Sequence, residues 1–283
     1  MPSPPPRPPR PPSPTRRRRF VRRLLRWYRT AGRRLPWRRT RDPYRILVSE
    51  VMLQQTQVDR VVPKYREFLR RYPSLEALAR AHVAEVREVW YPLGYNARPV
   101  RLWQIARTVL AEHGGRLPAE RARLLRLPGI GPYTAGALLS FAFGRRAALL
   151  DTNVRRVLQR VFFGRPVSDR ALWALAERLL PRRAYDYNQA LMDFGALICT
   201  ARRPRCDRCP LTDLCRTYPR LGSEARARAG RAPAGEGVAA RVRVDGADVR
   251  TDPAGLAGDA GARADAGEAA PRPRRRIQGG EPR

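Results

Sequence analysis

The sequence predicts an all-α protein, and three observations support this fold class. Apolar residues recur at the spacing of amphipathic helices between residues 20 and 200. Stretches that alternate apolar and polar residues between turn signals, the pattern of half-buried strands, are scarce in the same region. Pro43 and Pro99 stand where the first turn of a helix is expected, because the amide at that position has no helical partner in any case.

The helix boundaries follow from capping signals and from the extent of each apolar pattern. Asp42 is the expected N-cap of a helix that continues to about Val58. Arg98 and Pro99 open another helix, which runs to about His113. The remaining helices are predicted at residues 21–31, 61–71, 74–80, 83–90, 119–126, 132–143, 152–162, 169–180 and 186–198.

Both ends of the chain have the composition of disordered segments. Residues 1–19 hold nine prolines and six arginines, no acidic residue and no large apolar residue besides Met1. Residues 221–283 contain no Phe, Tyr or Trp and are rich in Ala, Gly, Arg and Asp. Such segments bury too little apolar surface to offset the entropy of folding. We therefore expect a folded domain at residues 20–220 between two disordered tails.

The charge of the predicted core favours a polyanionic partner. The chain has a formal net charge of +33, and residues 20–220 still hold 40 basic against 16 acidic residues. An arginine-rich genome explains why Lys64 is the only lysine, but not the excess over acids. No apolar run approaches a membrane span of about 20 residues, and no secretory signal opens the chain. We expect a soluble, intracellular protein of the cytoplasm, associated with the nucleoid, with no membrane partner.

The four cysteines form one cluster, at Cys199, Cys206, Cys209 and Cys215, with the spacing C-x6-C-x2-C-x5-C. Disulfides are not expected in an intracellular chain, so the clustering indicates a metal centre. Four thiolates can hold either a zinc ion or a cubane iron–sulfur cluster. The ligand set alone leaves both alternatives open.

A glycine-rich turn lies between two predicted helices in the segment 127–136, which reads LPGIGPYTAG. Gly129 and Gly131 permit backbone conformations that expose N–H groups, and Pro132 begins the next helix. The N-terminus of a helix favours an anion, so a phosphate could bind here without a side-chain charge. Taken alone, a Gly-x-Gly turn is weak support, since most such turns only connect helices.

Two carboxylates stand out as candidates for catalysis. Glu50 shares a helix face with Ile46 and Leu53, so its carboxyl interrupts an apolar stripe. Partial burial would raise its pKa and keep it protonated as an acid, although an exposed helical glutamate is the ordinary alternative. Asp151 precedes a predicted helix, where an aspartate is an ordinary N-cap.

Three segments together resemble the helix-hairpin-helix DNA glycosylases of the endonuclease III superfamily, most closely the adenine-specific MutY type. They are the residues 49–58 (SEVMLQQTQV), the turn 127–136, and residues 191–195 (LMDFG) followed by the cysteine loop 199–215. The resemblance implies a two-lobed helical fold. It also implies a [4Fe-4S] cluster on the four cysteines and a monovalent cation at the hairpin.

The resemblance also implies roles for four site residues. Glu50 would protonate adenine as it leaves, and Asp151 would stabilise the sugar cation or bond to the sugar. Asn153 would bridge the carboxylates or the water. Tyr133 stands where strand-cutting relatives have a lysine, and a phenol cannot form a Schiff base. The expected enzyme is therefore a monofunctional glycosylase.

Five further residues are implied in binding DNA. Gln54, Gln55 and Tyr95 correspond to residues that fill the space left by a flipped base, whereas Gly129 and Gly131 would grip the phosphate backbone. A packed core aromatic is the alternative for Tyr95. The expected partner is double-stranded DNA with a mispaired or damaged base, bound by a monomer.

The sequence departs from the MutY pattern in three places. Residues 91–96 read Tyr-Pro-Leu-Gly-Tyr-Asn in place of Gly-Leu-Gly-Tyr-Tyr, and Asp-Thr-Asn at 151–153 replaces Asp-Gly-Asn. No second folded domain, which typical members use to recognise 8-oxoguanine, is expected after Cys215.

Two alternative functions remain. The thymine/uracil–guanine mismatch glycosylases share the short architecture, the hairpin tyrosine and the opening near residues 35–38. A catalytically inactive DNA-binding module is the other, and the intact Glu50 and Asp151 argue against it.

Overall fold

The computed structural model describes residues 12–221, and all regular secondary structure in this part of the chain is helical. The predicted all-α class is therefore confirmed. The predicted tails, 1–19 and 221–283, lie mostly outside the described residues, and there they stay a prediction. No described helix is both long enough and apolar enough to cross a membrane.

Eleven α-helices make up most of the described part of the chain. In chain order they are α1 (Pro14–Ala31), α2 (Pro43–Met52), α3 (Val58–Arg71), α4 (Leu75–Arg80), α5 (Val83–Trp90), α6 (Ala97–His113), α7 (Arg121–Leu124), α8 (Pro132–Phe141), α9 (Thr152–Leu158), α10 (Asp169–Leu179) and α11 (Ala184–Leu197). A π-helical turn over Gln159–Phe163 continues α9, and the cysteine loop follows α11.

The helices form two lobes that share one apolar core. In the first lobe α6 packs on α4 and α5, and α3 packs on α2 and α5. In the second lobe α11 packs on α1 and α9, and α10 packs on α9. Helix α8 contacts α2 of the first lobe and α11 of the second, so the helix after the glycine turn joins the two lobes.

Helix α1 begins at Pro14, which corrects the predicted tail boundary at residue 19. The Ser13 side chain caps the helix by accepting a hydrogen bond from the Arg16 amide. The guanidinium of Arg16 then donates to the carbonyl oxygen of Leu214 at 2.6 Å, inside the cysteine loop. The composition of residues 1–19 predicts arginines that are solvated, whereas the Leu214 carbonyl binds Arg16 here.

Helix α2 ends at Met52, so the prediction of one helix as far as Val58 is wrong. Gln55, in the turn between α2 and α3, has a φ of 55°, in the left-handed region that interrupts a right-handed helix. The carbonyl oxygens at the end of α2 accept hydrogen bonds from the distant Arg98 instead of continuing the helix. Apolar periodicity alone does not reveal such a break.

Two glycines allow the helices around the candidate site to approach closely. A Cβ on Gly136 of α8 would lie 2.4 Å from the carbonyl oxygen of Ala148, and one on Gly195 of α11 would lie 2.6 Å from the Asn153 Cβ. Neither distance is possible without movement of the backbone, because protein interiors are already close-packed. Since Ala148 and Asn153 lie on either side of Asp151, both contacts fix the segment that carries this carboxylate.

We expect Gly195→Ala to destabilise the protein, although alanine normally stabilises a helix by up to about 1 kcal/mol relative to glycine. Overpacking against Asn153 costs about 1–3 kcal/mol, which outweighs the gain in helix propensity. Thermal unfolding followed by circular dichroism measures the change. An unchanged or higher midpoint would show that α9 and α11 are not as close as described.

Candidate active site and metal centre

Glu50 and Tyr133 meet where α2 packs on α8. Glu50 lies near the end of α2 and is only 3% exposed. Tyr133 lies in the first turn of α8, and its hydroxyl donates a hydrogen bond to Glu50 Oε2 at 2.8 Å. The structure thus places two of the candidate catalytic residues in direct contact, although 83 positions separate them in sequence.

Burial is the main reason that the pKa of Glu50 rises from its ordinary 4.5 to about 7. The hydrogen bond from Tyr133 and the charge of Arg38 oppose the rise because both favour the carboxylate, whereas the charge of Asp151 adds to it. Burial also holds the pKa of Tyr133 well above its ordinary value, so its hydroxyl stays a donor. Near neutral pH a large share of Glu50 is therefore protonated and able to act as an acid.

Asp151 is the N-cap of α9, as its position before a predicted helix suggests. One carboxylate oxygen accepts the Val154 amide at 2.6 Å, and the other accepts the side-chain amide of Asn153 at 3.3 Å. Burial raises the pKa of Asp151, and these hydrogen bonds only partly oppose the rise. Because its charge also raises the pKa of Glu50, the two carboxyl groups belong to one site.

Arg156, which the sequence analysis did not single out, links this site to the cysteine loop. Its Nη2 donates to Asn153 Oδ1 at 2.6 Å, and its Nε donates to the carbonyl oxygen of Cys199 at 2.7 Å. A hydrogen-bonded path therefore runs from the first cysteine through Arg156 and Asn153 to Asp151. The sequence indicates only one contact of this path, because Asn153 and Arg156 are three residues apart and therefore lie on one helix face.

A buried ion-pair cluster contains Arg38, the arginine whose charge lowers the pKa of Glu50. Arg38 donates to both carboxylate oxygens of Asp193, each at 2.8 Å, and Arg33 Nε donates to the same carboxylate at 2.7 Å. Burial alone would raise the pKa of Asp193, but the two arginines bring it below its ordinary value. Because two guanidinium groups face one carboxylate, the cluster keeps a net positive charge, and the charge of Arg38 lowers the pKa of Glu50 in part.

The two glycines of the hairpin have different roles. Gly129 has a φ of 77°, which favours glycine, and a Cβ there would meet the Arg101 side chain at 2.9 Å. Gly131 is the N-cap of α8 with a φ of −90°, which any residue can adopt, so of these two glycines only Gly129 has a backbone conformation that favours glycine. A Cβ on Gly131 would meet no described atom within 4 Å. Packing within the described chain therefore does not require a glycine at position 131.

The residues expected to fill the space of a flipped base lie on two loops. Gln54 and Gln55 follow the end of α2, and Gln55 is exposed. Tyr95 lies in the loop before α6 and is 60% exposed, so the alternative of a packed core aromatic is wrong. Tyr91, on the same loop, is 76% exposed. Gln55 and Tyr95 both have positive φ values, 55° and 52°.

The four cysteines are half-buried and close enough for each thiol to influence the others. Burial raises the pKa of Cys199, Cys206 and Cys209, and neighbouring cysteines add to the rise, so four thiolates need a positive metal centre beside them. Arg160 Nη1 donates to Cys199 Sγ at 3.5 Å, a contact that suits a thiolate. These residues fit an iron–sulfur cluster.

Two family models match the chain. The model of the helix-hairpin-helix superfamily of base-excision DNA repair proteins matches residues 48–182, which include Glu50, the hairpin and Asp151. The model of the iron–sulfur binding domain of endonuclease III matches residues 199–215, from the first cysteine to the last. The second match establishes a [4Fe-4S] cluster as the cofactor of this loop.

Relatives of two substrate classes are similar to the chain. It is 44% identical to the human adenine DNA glycosylase over 71% of its own length, but spans only 40% of that protein. It is 43% identical to the thymine-DNA glycosylase of Aeropyrum pernix, covering 70% of this chain and 93% of the relative.

A solved thermostable thymine-DNA glycosylase superimposes with a TM-score of 0.69 at 38% identity, covering 73% of this chain and 98% of that structure. The site geometry, the family models and the relatives agree. The chain belongs to the helix-hairpin-helix superfamily of base-excision DNA repair glycosylases.

Proposed function

We propose that this chain is a monofunctional DNA glycosylase that hydrolyses the N-glycosidic bond of adenine mispaired with guanine or 8-oxoguanine. The buried Glu50, whose pKa is raised to about 7, is the observation that supports this most strongly. Adenine is a purine with a basic ring nitrogen at N7, so a proton from Glu50 makes it a better leaving group. In this proposal the substrate is a DNA duplex that contains the mispair, and the enzyme acts as a monomer.

Tyr133 orients the acid. Its hydroxyl occupies Oε2 of Glu50, so the proton of the neutral carboxyl is placed on Oε1, which is left to face the leaving base. When Glu50 has given up its proton, the same hydrogen bond stabilises the resulting carboxylate. Tyr133 thereby assists the transfer without exchanging a proton itself, since its own pKa is far too high.

Asp151 stabilises the positive charge that develops on the sugar as the base departs. The Val154 amide and the Asn153 side chain hold its carboxylate in place, and Arg156 in turn orients Asn153. Water then completes the hydrolysis at the sugar, and Asn153 is the neighbouring amide that can orient it. Both carboxyl groups thus have separate roles, one as an acid and one as an anion.

We expect no lysine of this chain to cut the strand. Tyr133 fills the hairpin position at the base of the site, and a phenol cannot form a Schiff base with the sugar. The only lysine of the chain, Lys64, lies on α3 and pairs with Glu67 at 2.8 Å. The product is therefore an abasic site in an intact strand.

Binding to DNA is assigned to three parts of the chain. The hairpin at Gly129 and Gly131 would hold a backbone phosphate at the N-terminus of α8, and a monovalent cation would bind at the same hairpin. Gln54, Gln55 and Tyr95 fill the space of the extruded base. The four cysteines hold the iron–sulfur cluster, which when bound stiffens the basic loop 199–215 and supplies no step of the hydrolysis.

One observation favours a second candidate, excision of thymine or uracil opposite guanine. The chain spans 93% of the archaeal thymine-DNA glycosylase but 40% of the human adenine enzyme. Tyr133 is compatible with either substrate. The decisive difference is the leaving base, because a pyrimidine lacks the N7 atom that Glu50 would protonate.

Single-turnover assays on four duplexes test the proposed substrate. We expect adenine to be released opposite guanine and opposite 8-oxoguanine at least about tenfold faster than thymine or uracil opposite guanine. The strand should stay intact until alkali is added. Faster release of thymine or uracil would establish the second candidate, and no release from any duplex would indicate a DNA-binding module without activity.

Glu50→Gln should bind a duplex containing an A:G mispair as the wild type does, but lose excision by about a hundredfold or more, because the amide has no acidic proton to give. Glu177→Gln is the matched control, since Glu177 is an exposed glutamate on α10. Excision by Glu50→Gln within a few fold of the control would remove Glu50 from the mechanism.

A further inference from the structure

Arg98, in the first turn of α6, is a buried cation without an acidic partner. The residue is 4% exposed, and no carboxylate in residues 12–221 forms an ion pair with it. Buried charges are normally paired, because removing a guanidinium from water is costly. Burial lowers the pKa of Arg98 accordingly. Something other than an ion pair must compensate this charge.

The first group of compensating contacts lies at the C-terminus of α2. The Nη1 of Arg98 donates to the carbonyl oxygens of Val51 at 3.3 Å, Met52 at 2.8 Å and Gln54. The last carbonyls of a helix have no partner within the helix and form the negative end of its dipole. Arg98 therefore caps the helix that carries Glu50.

The second group lies in the loop 91–96, on the other side of the same guanidinium. Nη2 donates to the carbonyl oxygens of Leu93 and Gly94, each at 3.0 Å. The ring of Tyr95 lies 5.2 Å from the guanidinium carbon. Arg60 donates to the Pro92 carbonyl at 2.7 Å from the outer side of the loop. Three consecutive carbonyls of this loop are thus held by arginines.

Both loops contain a strained residue directly after a carbonyl that Arg98 binds. Gln55 follows Gln54 with a φ of 55°, and Tyr95 follows Gly94 with a φ of 52°. Residues other than glycine rarely adopt this region, so surrounding contacts must hold them there. The two strained residues are also the exposed ones assigned to fill the space of the extruded base.

We propose that Arg98 is a positioning residue that fixes the two DNA-facing loops, 53–57 and 91–96, relative to each other and to Glu50. One planar guanidinium bridges both loops. The residues that fill the space of the extruded base therefore keep a fixed position relative to Glu50, the acid that protonates that base. This inference rests on the proposed glycosylase function. It assigns Arg98 no contact with the substrate.

Arginine is required because of its shape as well as its charge. Its fork presents donors on two sides at fixed angles, whereas a lysine ammonium is a single point with fewer donors. Arg98→Lys therefore keeps the positive charge but cannot bind both groups of carbonyls. Arg60→Gln removes only the contact with Pro92 and is at an exposed position, so it disturbs the loop 91–96 alone.

Base extrusion can be measured with 2-aminopurine, a fluorescent adenine analogue, placed opposite guanine in a duplex. The measurements use Glu50→Gln protein so that no base is removed. We expect Arg98→Lys to reduce the fluorescence rise on binding by about tenfold, and Arg60→Gln to reduce it by about threefold, because fewer hydrogen bonds hold the loop. Affinity for a fully paired duplex, which depends on phosphate contacts, should change by less than about threefold.

Arg116→Gln is the control, since the Arg116 side chain is exposed and forms no hydrogen bond or ion pair with a described residue. An undiminished rise with Arg98→Lys, or a loss matched by an equal loss of affinity for paired DNA, overturns the inference. Should Arg98→Lys fail to fold, an undiminished rise with Arg60→Gln overturns it. No rise with the Glu50→Gln parent, together with no excision by the wild type, contradicts the proposed function instead.

Discussion

The hydrogen bond from Tyr133 to Glu50 joins α2 to α8 at a place where the Glu50 side chain is almost fully buried. An ionised carboxylate without water around it is costly, so burial favours the protonated form. A protonated carboxyl near neutral pH is an acid. The packing of two helices therefore creates the proposed acid, and the close contacts at Gly136 and Gly195 fix the segment that carries Asp151.

Arginines that bind backbone carbonyls connect this contact to the rest of the molecule. Arg156 joins the cap of α9 to the cysteine loop, Arg98 joins the end of α2 to the loop before α6, and Arg16 joins α1 to the cysteine loop. Each replaces the water that would otherwise solvate carbonyl groups outside helices. The high arginine content, which indicates a polyanionic partner, thus also stabilises the interior.

The sequence alone predicts the all-α class, most helices and the glycosylase family, because these depend on periodicity and on local motifs. Glu50 is identifiable as a carboxyl within an apolar stripe, and Asp151 as an N-cap. The contacts of Arg98 and Arg156 are not predictable in this way, because the carbonyls they bind are distant in sequence and carry no residue signature. The sequence does not predict the end of α2 for the same reason, since Arg98 of α6 binds the carbonyl oxygens there.

The most direct test is the pKa of Glu50 itself, measured by carbon NMR of protein labelled at glutamate carboxyls and assigned by its loss in Glu50→Gln. We predict a midpoint of about 7. Tyr133→Phe should raise the midpoint further, because the lost hydrogen bond favoured the carboxylate. A midpoint near the ordinary 4.5 would contradict the account, since Glu50 would then be ionised at neutral pH and unable to protonate a leaving base.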